Sequence, residues 1–251
     1  MSTRPSASRS HPCDIIKKME RFFNTEGPVN CDKHYCLPPL ERIDLAEVLS
    51  LIDRERYFVL HAPRQTGKTS CLPALMDYLN RAGRYKCLYA NVEKAQSARE
   101  DVQAGIHAIL GEIGLRARDY LDEPTLLSGV PEALDTYGAH GALDGFLTTW
   151  AQSSPKPIVL LIDEIDSLVG DTLIAVLRQL RSGYDKRPAS FPQSVVLCGV
   201  PGVLSRELGD MDRAVRLQGG RPATAHAGVS ATHRKQRRSH PTRVRTRARA
   251  N

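Results

Sequence analysis

The sequence is poor in aromatic residues, in paired cysteine spacings and in long apolar runs, and each shortage closes off a class of protein. Six cysteines (Cys13, Cys31, Cys36, Cys71, Cys87 and Cys198) follow no framework spacing, which argues against a disulfide scaffold. Cys87 and Cys198 fall inside expected strands, as reduced thiols of cytosolic proteins do. Cys31, His34 and Cys36 have no fourth ligand at a sensible spacing, which argues against a structural zinc site. No apolar segment reaches the roughly 20 residues of a membrane-spanning helix. The Ser/Arg-rich start is followed by no secretory core. The expectation is a cytoplasmic protein with no membrane partner.

Acidic residues are scarce at one end only. Residues 201–251 hold 12 Arg/Lys against 3 Asp/Glu, a net charge of +9, whereas residues 1–200 carry −2. Aromatics are 6% of the chain and none follows Phe191, so the basic stretch has no platform on which bases could stack. Beyond Arg221 the large apolar residues are essentially Val229 and Val244. Such a segment cannot bury enough surface to offset its ordering entropy.

What is present is organised around residues 57–69. An apolar run, Tyr57-Phe58-Val59-Leu60-His61, has strand character and stops at Ala62-Pro63; Arg64-Gln65-Thr66 make a turn; Gly67-Lys68-Thr69-Ser70 open a helix. Strand, loop and helix in this order give the context of a Walker A phosphate loop. Helix N-termini offer unpaired amides and a dipole that favours anions. Gly67 allows close backbone approach, Lys68 reaches the β- and γ-phosphates, and the Thr69 hydroxyl suits Mg²⁺. The expected nucleotide-binding stretch is therefore Ala62, Pro63, Arg64, Gln65, Thr66, Gly67, Lys68, Thr69 and Ser70. Ala62 stands where the first glycine of the motif usually is.

A second motif follows at Ile158-Val159-Leu160-Leu161-Ile162-Asp163-Glu164. Five apolar residues after Pro155 and Pro157 read as a strand buried on both faces. Two carboxylates at its end are costly unless they hold a metal or do chemistry. This is the Walker B pattern, with Asp163 as the Mg²⁺ residue and Glu164 as the base that activates water.

The remaining segments alternate helix and strand. Residues 14–23 predict a short amphipathic helix and 24–39 a connector. Asp44 and Glu47 form a capping box before Leu45, Val48, Leu49 and Ile52. A helix is expected over 67–82, ended by Gly83 and conflicted by Pro73. A strand is expected over 85–92, a long helix over 95–115, a less regular insertion over 116–140 and a helix over 142–152. Asp171 reads as the cap of a helix carrying Leu173, Ile174, Leu177 and Leu180. A strand is expected over 194–200. The division is 1–23 tail and short helix, 24–56 connector and capped helix, 57–200 core, and 201–251 basic tail. The fold class is α/β with a mainly parallel sheet and its ligand at the strand C-termini.

Arg42, the Ala62–Thr69 loop, Asn91-Val92-Glu93, Ile158–Asp166 and Ser194–Val200 together resemble a bacterial AAA-like ATPase domain. The Pro-Arg-Gln-Thr-Gly-Lys-Thr loop is similar to that of its signal-transducing STAND branch. The resemblance covers residues 20–200. It implies a three-layer P-loop core of strand order 5-1-4-3-2, ATP with Mg²⁺, and a nucleotide-driven switch. Lys68 and Thr69 match the phosphate and Mg²⁺ positions, Asp163 the Mg²⁺ position and Glu164 the water-activating one. Asn91 matches the polar residue that restrains the glutamate, or is a strand-end turn residue. Arg42 matches a residue near the adenine, or is a solvated arginine flanking a helix.

Relatives carry an Arg-Asp pair after the fourth strand, where Pro201-Gly202 stand here. The expectation is that the chain is truncated or frameshifted after residue 200, so that the fifth strand and lid are missing. Val203, Leu204, Leu208, Met211, Val215 and Leu217 then suit a short helix that covers β-strand 57–61 incompletely and leaves it prone to self-association. Three functions compete: an ATP-hydrolysing switch acting on a protein effector, a nucleic-acid binder using the tail at 219–251, and a hydrolysis-defective nucleotide-binding fragment.

Overall fold

A computed structural model of the chain describes residues 22, 33–35, 38–61, 68–199 and 214–216, with the backbone alone for 61, 68, 69 and 214–216. All of them belong to one unit, residues 1–220. The expected helix over 14–23 lies outside the described residues except at Phe22, which instead forms an isolated parallel bridge with His34.

The chain enters through a 3₁₀ turn, Pro39–Arg42, and helix α1 (Leu45–Asp53), whose first turn is closed by the Asp44 carboxylate accepting from the Glu47 N–H at 2.9 Å. Strand β1 (Phe58–His61) follows, then α2 (Lys68–Ala82), β2 (Lys86–Asn91), α3 (Val102–Leu121), α4 (Pro124–Ser128), α5 (Val130–Tyr137), α6 (Ala142–Ser153), β3 (Ile158–Asp163), α7 (Gly170–Ser182), β4 (Ser194–Gly199) and β5 (Ala214–Arg216). All ladders are parallel, in the order β2-β3-β4-β1-β5. This is the 5-1-4-3-2 order expected of the family.

Strand alternation sorts the sheet's side chains into two cores. Phe58, Leu60, Cys87, Tyr89, Val159, Leu161, Val196 and Cys198 face α1 and α2. Tyr57, Leu88, Ala90, Ile158, Leu160, Ile162, Val195 and Leu197 face α3, α5, α6 and α7. Both faces of β3 and β4 are fully buried, which is why those strands read as unbroken apolar runs.

Several expectations are corrected. The fifth strand is present: Val59, Leu60 and His61 pair with Ala214, Val215 and Arg216. β1 is therefore an interior strand, and the reason given for self-association falls away. Of the helix expected in 203–217 only 214–216 are among the described residues, and there the helical spacing misled because a three-residue strand is too short to show a period of its own; its pairing partner decides its state. The single helix expected over 95–115 is a 3₁₀ segment, Glu93–Ala98, and then α3, restarted by Asp101, whose carboxylate accepts from the Ala104 N–H at 3.0 Å. The insertion at 116–140 is helical, and Pro124 and Pro131 sit in the first turns of α4 and α5, where a missing N–H costs nothing. Asp171 lies inside the first turn of α7 rather than capping it. α2 runs through Pro73; the bond forgone is to the carbonyl of Thr69, in the helix's opening turn. Gly83 ends it at φ +75°, as expected.

One cap comes from far away. α6 has no side-chain cap at Gly141. The buried Gln179 of α7 fills that role, its Oε1 accepting from the Leu143 and Asp144 N–H groups (2.8 and 3.3 Å) while its Nε2 donates to the Ala139 carbonyl at 3.0 Å. Among the described residues no helix is long and apolar enough to cross a membrane.

Candidate functional site

The site is set by register. Ile162 pairs with Leu197 across β3 and β4, and Leu60 with Cys198 across β4 and β1. Asp163, one residue beyond Ile162, is thus level with Leu60. Only β4 separates them, a distance of about 10 Å at the usual strand spacing. Asp163 shares the parity of Val159 and Leu161, so its side chain falls on the face covered by α2. The helix that follows the phosphate loop and the carboxylate of the second motif therefore meet on one face, at the C-terminal edge of a parallel sheet, where such folds bind their ligands.

Asp163 has no solvent exposure. Its Oδ1 accepts from the Glu164 backbone N–H at 3.0 Å, and its Oδ2 accepts from the Tyr89 hydroxyl at 3.1 Å. Glu164 is half-buried and has left-handed backbone angles, φ 56° and ψ 35°. This conformation is uncommon and strained for a residue with a Cβ, and such strain concentrates at functional sites. It turns the chain out of β3 into the 3₁₀ turn Ile165–Ser167. In that turn the shielded Asp166 Oδ1 and Ser167 Oγ find no hydrogen-bond partner among the described residues. Unspent buried polar atoms are costly in a finished core, and they fit a rim that receives a polar ligand.

Asn91 closes β2 directly opposite Asp163. Its Oδ1 accepts from the Glu93 N–H at 2.9 Å, a local turn. Arg42 ends the first 3₁₀ turn, near enough to the first turn of α2 for its charge to act on Cys71. Cys71 Sγ donates to the Pro39 carbonyl at 3.0 Å, and burial pushes its thiol up to about 11. Ser70 is exposed on the same turn. The backbones of Lys68 and Thr69 open α2. Ala62, Pro63, Arg64, Gln65, Thr66 and Gly67 lie outside the described residues, as do the side chains of Lys68 and Thr69.

Two features of the site escaped sequence reasoning. Tyr89 looked like one more apolar strand residue, yet burial raises its hydroxyl pKa and the Asp163 charge beside it raises it further. Glu112 of α3 is 4% exposed and is held by Lys94 (3.1 Å) and Arg116 (2.6 Å), which ties the rim segment after β2 to the helix layer. Alternation along β2 could have flagged the first, since residue 89 shares a face with 87 and 91. No local signal announces the second.

Mg²⁺ takes hard oxygen donors in octahedral geometry and keeps several waters, so one or two carboxylate or hydroxyl ligands suffice beside substrate phosphates. Among the described residues no cluster of three or more His, Cys, Asp or Glu gathers, and a single oriented carboxylate is what Asp163 offers. The residues present fit that mode of binding.

A family model described as AAA domain matches residues 52–207. No curated protein matches the chain in sequence. Among solved structures, AMPPCP-bound DnaA from Aquifex aeolicus is 14% identical, covering 73% of this chain and 48% of that one, with a TM-score of 0.39. The Aeropyrum pernix ORC1 protein in complex with DNA is 17% identical over 71% and 44%, with a TM-score of 0.44. Drosophila ORC bound to poly(dA/dT) DNA and Cdc6 is 12% identical over 70% and 28%, with a TM-score of 0.45. The chain spans less than half the length of these structures. With the family model spanning more than half of the chain, the protein belongs to the AAA domain family, the nucleotide-binding P-loop ATPases.

Proposed function

We propose that this domain binds ATP and hydrolyses it as a nucleotide-dependent switch. The observation that carries the reading is the buried Asp163, followed by the left-handed Glu164, on the sheet face from which α2 begins. When bound, Mg²⁺ supplies charge neutralisation of the β- and γ-phosphate oxygens, and Asp163 and Thr69 are the residues to hold it. The backbone N–H groups of 64–70 cradle the phosphates, Lys68 offsets their charge, and Arg42 borders the base. Glu164 orients a water and takes its proton as the water oxygen bonds to the γ-phosphorus; the bond from that phosphorus to the β–γ bridging oxygen breaks, giving ADP and phosphate. Asn91 restrains the rim on which Glu164 sits.

The test is a pair of variants. Lys68→Ala abolishes tight ATP binding in calorimetry. Glu164→Gln binds ATP normally while turnover falls about 10²-fold or more. Unchanged affinity in the first variant removes the phosphate-loop assignment. Equal loss of binding in both removes the division of roles, and no turnover in the parent chain reduces the reading to nucleotide binding alone.

The division into 1–23, 24–56, 57–200 and 201–251 belongs to the same proposal, with β5 contributed from the last segment, and the domain is taken to work in the cytoplasm. The net charge of +9 in residues 201–251 favours a second, separable activity, binding of nucleic acid by the tail at 219–251. Affinity then falls steeply with salt, because each neutralised phosphate releases counterions. Deleting the tail abolishes that binding and spares ATP affinity.

A further inference from the structure

We infer that Tyr89 is a positioning residue for the metal-ligating carboxylate; this rests on the reading of Asp163 above. In the β2–β3 ladder Tyr89 stands opposite Leu161, two residues before the Asn91–Asp163 pair and on the same face. Such a diagonal neighbour is about 7–8 Å away, within reach of an aromatic side chain. The ring spans that offset and delivers its hydroxyl to Asp163 Oδ2 at 3.1 Å. A phenylalanine would fill the same buried space, so packing alone does not account for the oxygen, and a buried hydroxyl costs free energy unless it is bonded.

With Oδ1 tied to the Glu164 N–H, the carboxylate is gripped at both oxygens, and its rotation about χ2 is suppressed. Each carboxylate oxygen has two acceptor positions, so bonds of this kind orient the group without occupying it. Partners behind a metal ligand act in this way, and losing one weakens metal affinity by about 10- to 100-fold.

The experiment compares the full chain with Tyr89→Phe and Asp163→Asn, using ATP titrations in EDTA and Mg²⁺ titrations at fixed ATP. Tyr89→Phe is expected to keep its EDTA affinity within about twofold while the half-saturating Mg²⁺ concentration rises about tenfold. In the double variant the two shifts are expected to be non-additive, because both act on one interaction. A normal Mg²⁺ dependence in Tyr89→Phe, beside a shifted one in Asp163→Asn, overturns the positioning role alone. An unshifted Asp163→Asn overturns the underlying metal assignment and the inference with it. Tighter Mg²⁺ binding in Tyr89→Phe also overturns the inference, since the hydroxyl would then compete with the metal. A melting temperature shared by Tyr89→Phe and the parent separates these results from a folding defect.

Discussion

The two edges of the sheet are built differently. At one edge β2 offers six residues, pairs with β3 along its whole length, and is guarded by a side chain. Asn80 of α2 accepts from the Cys87 N–H at 2.8 Å and donates to the Cys87 carbonyl at 2.9 Å. Both groups of Cys87 point away from β3, so Asn80 supplies the bonds another strand would have made. At the other edge β5 offers three residues and pairs with β1 over the same three. One edge is blunted by a helix, the other by a short strand whose own sequence shows no strand period. An exposed edge invites association, and the chain meets that hazard with a local device in one place and a long-range one in the other.

The comparison breaks most readily at Asn80. Asn80→Ala leaves the N–H and carbonyl of Cys87 unpartnered at a half-buried edge, and about 2 kcal/mol of stability is expected to be lost in urea unfolding. Asn80→Asp keeps the acceptor and costs less. Cys87 is fully buried, so a thiol reagent should label it in Asn80→Ala under native conditions and spare it in the parent. Equal labelling would mean that the edge is guarded by something else.

Replacing both Ala214 and Val215 with proline tests the other edge. Alternate amides of β5 face β1, and two consecutive prolines remove the donor at either parity. The cost is expected to be smaller, about 1 kcal/mol. It is expected to show as faster hydrogen exchange at Phe58–His61 with no change at Lys86–Asn91. Uniform acceleration at both edges would refute their independence.

The smallest effect is a pH dependence in the layer of α1 and α2. Burial moves the Cys71 thiol from its ordinary 9.0 to about 11, with Arg42 pulling the other way. Between those values the unfolded chain holds fewer protons than the folded one, so stability falls as pH rises through that window. Cys71→Ala is expected to flatten part of the alkaline decline in melting temperature; an identical slope would remove Cys71 as its source.

Much of the site was legible because its signals are local. Asp163 and Glu164 end an apolar run that only a strand buried on both faces requires, and Asp44 announces its helix with the carboxylate that caps it. Tyr89 was not legible, since its hydroxyl has meaning only beside a carboxylate 74 positions away. Gln179 looked like a polar residue on α7, and its role as the cap of α6 exists only once the two helices are packed. The helix expected over 95–115 failed at Asp101, where a cap and a 3₁₀ segment interrupt a pattern that apolar spacing alone let run on.

The resemblance carried by the two motifs implied the 1-4-3-2 part of the strand order, while the sequence by itself determined the alternation of strands and helices and the places where the two motifs end their strands. These follow from periodicity, capping and chain reversal, which act within a few residues. Tertiary structure alone decided that 214–216 is a strand, that Asn80 closes an edge, and that Tyr89 grips Asp163. In each case the backbone or side chain has no strong preference of its own, and a partner far along the chain supplies the hydrogen bond that fixes its state.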